Sequence, residues 1–171
     1  MPQAPTHNFA ATYQEGIVSQ VDAKRHKIKA TIPALEDFET AWLSFLTPNA
    51  GGNQFYCLPD IGELVAILLD ARGEGGCVLG AIYNNQDPTP AASNDIWLKK
   101  FSNGTTIEHN RKTGDITIHA AGKVIINHSN VDVNNGTVTV NGGDVVADGI
   151  SLKNHTHSGV KAGGDNTRKP Q

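Results

Sequence analysis

The one constellation with the spacing of a chemical site lies near the C-terminus, where His155 and His157 flank Thr156 in the segment Asn154-His155-Thr156-His157-Ser158-Gly159. In extended backbone an i, i+2 pair directs both rings to the same side of the chain. Neutral imidazole is the commonest side-chain metal ligand, yet two rings are fewer than the three or four donors of an ordinary protein zinc site. A single copy is therefore an incomplete site. Three copies around an axis would offer six nitrogens, a donor set that suits an octahedral transition metal such as iron. The plainer alternative is a pair of solvated histidines in a terminal loop. What decides between the two is whether the chain ahead of the pair brings three copies together.

The remaining chemistry-bearing residues say less. Asp144 and Asp148 lie just ahead of the pair, where threefold symmetry would triple any inward carboxylate. Both are candidates for a hard cation such as calcium on the axis, against the plainer reading of acids turned to solvent. His109, His119 and His128 recur at intervals of nine to ten residues and read as surface positions of a repeat, while His7 and His26 carry no signal. Cys57 and Cys77, the only cysteines, form no CxxC pair and read as two buried thiols. No Ser/His/Asp grouping, Gly-rich phosphate loop or supported carboxylate pair occurs, so no enzyme is predicted.

The elements that must position the histidines follow from how residue types are distributed. All ten aromatic residues fall between Phe9 and Phe101, and seven of the eight prolines at or before Pro90. The seventy residues after Phe101 hold no Phe, Trp or Tyr, which is a poor composition for an ordinary core. They hold instead short alternating segments: Thr105–His109, Asp115–His119, Lys123–Asn127, Val131–Val133, Thr137–Val140 and Asp144–Val146. Asn-Gly, Thr-Gly or Asp-Gly turns separate most of them. A strand of four or five residues with one small β-branched face buries too little to offset about 1–2 kcal/mol of backbone ordering per residue. Such a region cannot stand as a lone copy. Small side chains and the absence of Phe, Trp and Tyr favour a narrow prism in which three chains wind about one axis, with a single-chain solenoid as the alternative.

Ahead of this region the pattern differs. Runs at Gly16–Val21, His26–Ile32, Thr40–Leu46, Glu63–Leu69 and Cys77–Tyr83, punctuated by Pro33, Pro48, Gly51-Gly52 and Gly73–Gly76, read as five strands without a helix. That is the content of an OB-like barrel, with Trp42, Phe45, Phe55 and Tyr56 in its core and rim. The fold class predicted is all-β: an OB-like barrel, then an intertwined trimeric β-helix, then a metal-binding apex. The divisions are residues 1–14 an N-terminal extension, 15–86 the barrel, 87–95 a Pro-rich linker, 96–150 the triple-stranded β-helix and 151–171 the tip. An OB barrel alone suggests a nucleic-acid or carbohydrate binder with a fibrous tail, but a formal charge of −3 and a single basic cluster at Lys24–Lys27 speak against a nucleic-acid partner. A cell-wall hydrolase would need a globular catalytic domain, and no stretch between barrel and repeats is long enough. The start, MPQAPTHNFAATYQ, has no leader pattern and no apolar run reaches the ~20 residues of a membrane span. A chain made and folded in the cytoplasm is expected.

Nearly the whole length resembles the central spike, or baseplate assembly protein V, family of contractile-tailed phages and tailocins. The resemblance runs through Gly16-Ile17-Val18, the segment AWLSFLTPNAGGNQFYCLPDIGELVAILLDARGEGGCVLGAIYNNQDPTP, the segment SNDIWLKKFSNGTTIEHNRKTGDITI, and DGISLKNHTHSGV at the end. It implies a homotrimer whose OB domain attaches to a baseplate hub and whose apex binds one iron ion per trimer through His155 and His157 of three chains. Calcium and a buried anion are further candidate ions on the threefold axis. It also implies a virion location at the baseplate tip, with assembly in the host cytoplasm, and the host outer membrane as a target pierced when the sheath contracts. Residues Ser158 to Gln171 follow the histidines, so the chain is expected to turn back there, with Gly159, Gly163 and Gly164 permitting the reversal.

Overall fold

The computed structural model describes residues 13–159 and Gly163. The expected N-terminal extension up to residue 12, and nearly all of the expected reversal after Gly159, lie outside the described residues. The chain divides into two compact units, residues 1–123 and 124–171. No described residue is in an α-helix; a 3₁₀ turn at Pro33–Leu35 is the sole helical element among them. No helix among them is long and apolar enough to cross a membrane.

The first unit contains the barrel. Strands β1 (Tyr13–Asp22), β2 (Lys27–Ile32), β3 (Phe38–Glu39), β4 (Leu43–Phe45), β5 (Leu64–Leu69) and β6 (Gly76–Ala81) form one sheet in the order β1-β5-β6-β4-β2-β3. An additional β1–β2 pairing closes it. Closure is a property of β1, whose ten residues serve two partners: Tyr13–Ile17 pair with β5 and Ile17–Asp22 with β2. A bulge between Val18 and Gln20 lies on the β2 side, the kind of irregularity that bends a strand around a barrel. Alternation does the rest. Ile28, Ala30 and Ile32 of β2 and Val65, Ile67 and Leu69 of β5 point inward and, with Val18, Leu43 and Val78, form the buried core.

Two expectations need correction here. The core is wholly aliphatic: Phe45 is half-buried against it, Trp42 is half-buried, and Phe55 and Tyr56 are exposed. Aliphatic side chains fill the inward positions of the closed barrel, and Trp42, Phe55 and Tyr56 are not among them. Trp42 lies under two cations, Arg25 at 5.3 Å and Lys29 at 5.5 Å from the ring centroid. The basic cluster is thus partly spent on an aromatic and a carboxylate, Arg25 also bonding Asp22. Likewise neither thiol is fully buried, and Cys57 accepts a hydrogen bond from Lys99 Nζ at 3.2 Å.

Gly76 opens β6 at φ +150°, where a Cβ would stand 2.1 Å from the Leu68 carbonyl oxygen. Backbone on both strands would have to shift. Gly76→Ala is expected to cost at least about 2 kcal/mol, whereas Gly80→Ala on the same strand, with open space around its Cβ position, stays within about 0.5 kcal/mol. Urea unfolding followed by tryptophan fluorescence reads both; equal midpoints for the two variants would refute the close approach.

The segments Thr105–His109 and Asp115–His119 behave differently from the rungs expected of them. They form β8 (Thr106–Asn110) and β9 (Ile116–His119), which pair with each other and with β7 (Ile96–Lys100) as an antiparallel meander inside one chain. Gly104 and Gly114, at φ +89° and +82°, make the turns tight enough for hairpins. The polar stretch before β7 is turn-rich: Asn84 Oδ1 accepts from the backbone N–H groups of Gln86 and Asp87, and Asp95 is held by Arg111 at 2.6 Å.

Beyond the meander the chain runs without a ladder. Among the described residues, no backbone–backbone hydrogen bond involves positions 120–144, and no strand is formed there. Its aliphatic side chains face solvent in the single chain: Val124, Ile125, Ile126, Val131, Val133, Val138 and Val140 are all exposed, Ile125 by 70%. Backbone without a hydrogen-bonded ladder beside a row of exposed Val and Ile is a surface in want of a partner.

Candidate metal centre

The tip of the second unit is built on a hairpin. Strands β10 (Val146–Ala147) and β11 (Ile150–Ser151) pair Val146 with Ser151 and Ala147 with Ile150. That leaves Asp148-Gly149 as a two-residue loop, with φ of +48° and +83°. Two successive left-handed residues are the requirement of a type I′ turn, and Asp-Gly is among the sequences that meet it most readily. The Leu152 N–H extends the pairing by donating to the Val145 carbonyl at 2.8 Å.

After β11 the chain folds back on itself. The His155 N–H donates to the Ser151 carbonyl at 3.1 Å, and His155 Nδ1 approaches the same oxygen at 2.9 Å and the Leu152 carbonyl at 3.1 Å. A carbonyl only accepts, so Nδ1 carries the hydrogen. The lone pair of the neutral ring is then on Nε2, free to bind a metal. His157 stands beside it, the ring centroids 5.1 Å apart and the planes at 80°. The two rings lie in edge-to-face contact in an irregular segment after a turn, not along a regular strand. An open cleft beside them is lined by Ile150, Ser151 and Asn154.

Two imidazoles are what one chain provides; no group of three or more His, Cys, Asp or Glu able to hold a metal exists among the described residues. The donor chemistry fits a transition ion: neutral nitrogen ligands, one of them with its second nitrogen fixed by a backbone carbonyl, the usual outer-shell partner of a metal-bound histidine. Of the two acids named as candidate calcium ligands, Asp148 is in the hairpin turn. Asp144 has both oxygens engaged: Oδ1 accepts from the N–H groups of Val145 at 2.8 Å and Lys153 at 3.1 Å, and Oδ2 accepts from the Ser151 hydroxyl. The Ser151 hydrogen bond above all, aided by the two N–H groups and opposed by desolvation, holds the Asp144 carboxyl below the ordinary Asp range. Sequence reasoning missed this network.

The other described histidines are placed as follows. His109 is on β8 with Nδ1 donating to the Asp115 carbonyl at 3.1 Å, His119 ends β9, and His128 sits in a turn at φ +56°. His26, read as carrying no signal, is half-buried near Phe45 and Tyr56, with ring centroids 6.0 and 5.3 Å away.

Comparison with known proteins gives matches at both ends of the chain. Residues 14–83 match the family described as the Type VI secretion system/phage-baseplate injector OB domain, and residues 149–171 match the GpV apex motif. The first covers the closed barrel and the second begins within the hairpin turn and contains both histidines. The spike protein of Escherichia phage P2 is 34% identical over 80 residues, which make up 46% of this chain. The match spans 38% of that relative's length.

Proposed function

Because this chain belongs to the central spike, or baseplate assembly protein V, family of contractile-tailed phages and tailocins, we propose that it is the trimeric, iron-capped point with which a contractile tail punctures the host outer membrane. The family is one of structural tail components rather than enzymes, and its place is the baseplate of the virion tail. In the proposed mechanism the barrel attaches to the baseplate hub, and the region after Lys123 winds with two further copies so that Val and Ile side chains meet along a shared axis. Sheath contraction drives this body forward. Its role is mechanical, and stiffness is the property that matters.

His155 and His157 of three chains would hold the iron ion, which when bound ties three chain ends into one closed point. The chain's own contribution is to present two imidazoles just after the β10–β11 hairpin, with the His155 Nδ1 turned to the Ser151 carbonyl. Without such a closure three sets of unpaired strand ends would lead into the membrane. The observation that carries the reading is the stretch at positions 120–144, whose Val and Ile side chains are exposed and which makes no backbone–backbone hydrogen bond among the described residues. A second set of chains supplies what it lacks.

Sedimentation velocity of the purified protein tests the assembly directly. Three chains per particle are expected at all concentrations down to the micromolar range, because folding of the repeat and association are one event. A well-ordered monomer with ordered signals from positions 124–145 would overturn it.

A further inference from the structure

We propose that Asp144 is the positioning residue of the apex: it fixes the Ser151 segment so that the Ser151 carbonyl takes the Nδ1 hydrogen of His155 and Nε2 is left as the metal-binding atom. This rests on the reading of His155 and His157 as ligands. The chain of contacts is short and continuous. Asp144 accepts the Ser151 hydroxyl hydrogen, and its other oxygen holds the N–H groups of Val145 and Lys153. It thereby binds both arms of the β10–β11 hairpin just beyond their paired residues. The Ser151 hydroxyl oxygen in turn accepts from the Asn154 N–H at 2.8 Å, closing the turn that carries His155. The Ser151 carbonyl, held in place at both ends, meets His155 twice, at the backbone N–H and at Nδ1.

Each link has a reason to be an acid and a hydroxyl. A carboxylate is the one common side chain that can accept three hydrogen bonds on two oxygens without a donor of its own to place. Ser151 both donates and accepts, so it relays the position of Asp144 to the turn. An imidazole left to itself exchanges between two tautomers, and only one of them leaves Nε2 unprotonated. Outer-shell groups that select a tautomer typically change metal affinity about 10- to 100-fold when removed.

The test uses the full chain, as wild type and as Asp144→Ala, Asp144→Asn and Ser151→Ala. After loading with ferrous iron, release to an excess of a strong ferrous chelator is timed. In separate metal-free samples carrying ¹⁵N-histidine, the ring nitrogen shifts of His155, identified by their loss in His155→Ala, report the tautomer. Asp144→Ala is expected to release iron about 10- to 100-fold faster and to show His155 as a mixture of tautomers while still sedimenting as wild type. Ser151→Ala is expected to move both readouts the same way by less, because its carbonyl remains. If the folded variants release iron at the wild-type rate and keep hydrogen on Nδ1, the positioning role is wrong. Should Asp144→Ala fail to fold, the Asn and Ser151 variants carry the same two readouts. Wild type that takes up no iron would overturn the metal reading alone, and the tautomer comparison would still decide the role of Asp144.

Discussion

Replacing His155 and His157 together by alanine is expected to take iron from the proposed one ion per three chains to none. In the proposed trimer all six imidazole nitrogens that would touch the ion disappear at once, and among the described residues no other cluster of His, Cys, Asp or Glu is placed to substitute for them. Asp144, the nearest network of oxygens, already has both of them engaged with Ser151, Val145 and Lys153. A single replacement is a weaker perturbation, because three imidazoles would remain, the number with which many catalytic metal sites are built. The singles should therefore lower retention and the double abolish it. Elemental analysis of size-fractionated protein gives the metal per chain, and iron retained by the double variant would refute the assignment. Because a ligand that binds only the assembled state stabilises it, by about 2.7 kcal/mol at a hundredfold excess over the dissociation constant, the double variant should also lose the part of its thermal stability that added iron confers on wild type.

The barrel was legible in the sequence because its code is local. Polar and apolar residues alternate through Lys27–Ile32, and the inward set Ile28, Ala30 and Ile32 is the buried set. The apolar run Glu63–Leu69, expected as a strand, supplies three core residues, Val65, Ile67 and Leu69. The aromatic residues misled, because hydrophobicity says that a ring prefers cover without saying whether the barrel interior or its outer wall provides it. Phe38 and Glu39 pair with β2 as a strand of their own, ahead of Leu43–Phe45, a break that no period in Thr40–Leu46 announces. The histidine pair was legible from spacing alone, since two rings so close in sequence cannot be far apart. What selects their working nitrogen was not. Yet a signal for it existed: taking Asp148-Gly149 as a two-residue turn pairs Val146 with Ser151 and, continued outward, sets Asp144 opposite Lys153, one step along the same face from Ser151. The missing step was to treat the turn as a register mark. The first repeat segments were misassigned for the opposite reason, the Gly104 and Gly114 turns being strong enough to close hairpins in one chain before any second copy is needed.

The second large effect separates the shape of the assembly from its metal. Val131, Val133, Val138 and Val140 are exposed in the single chain, and each pair is spaced so that both members lie on one side of extended backbone. Changing all four to serine removes twelve apolar side chains from a trimer, each contributing about 1.5–3 kcal/mol where it is buried. Even a fraction of that exceeds the roughly 5–15 kcal/mol by which a typical domain is stable. A serine hydroxyl turned inward would need a hydrogen-bond partner, and one left without it would compound the loss. The variant is expected to sediment as single chains. Its barrel should keep slow amide exchange, because the core residues Val18, Ile28, Ala30, Ile32, Leu43, Val65, Ile67, Leu69 and Val78 all precede the altered positions and belong to the other unit. Iron should be lost with the trimer even though His155 and His157 are untouched, since two imidazoles do not make the site. Monomers that still held iron would show that one chain suffices, and a stable trimer of the serine variant would show that something other than the Val and Ile face joins the copies.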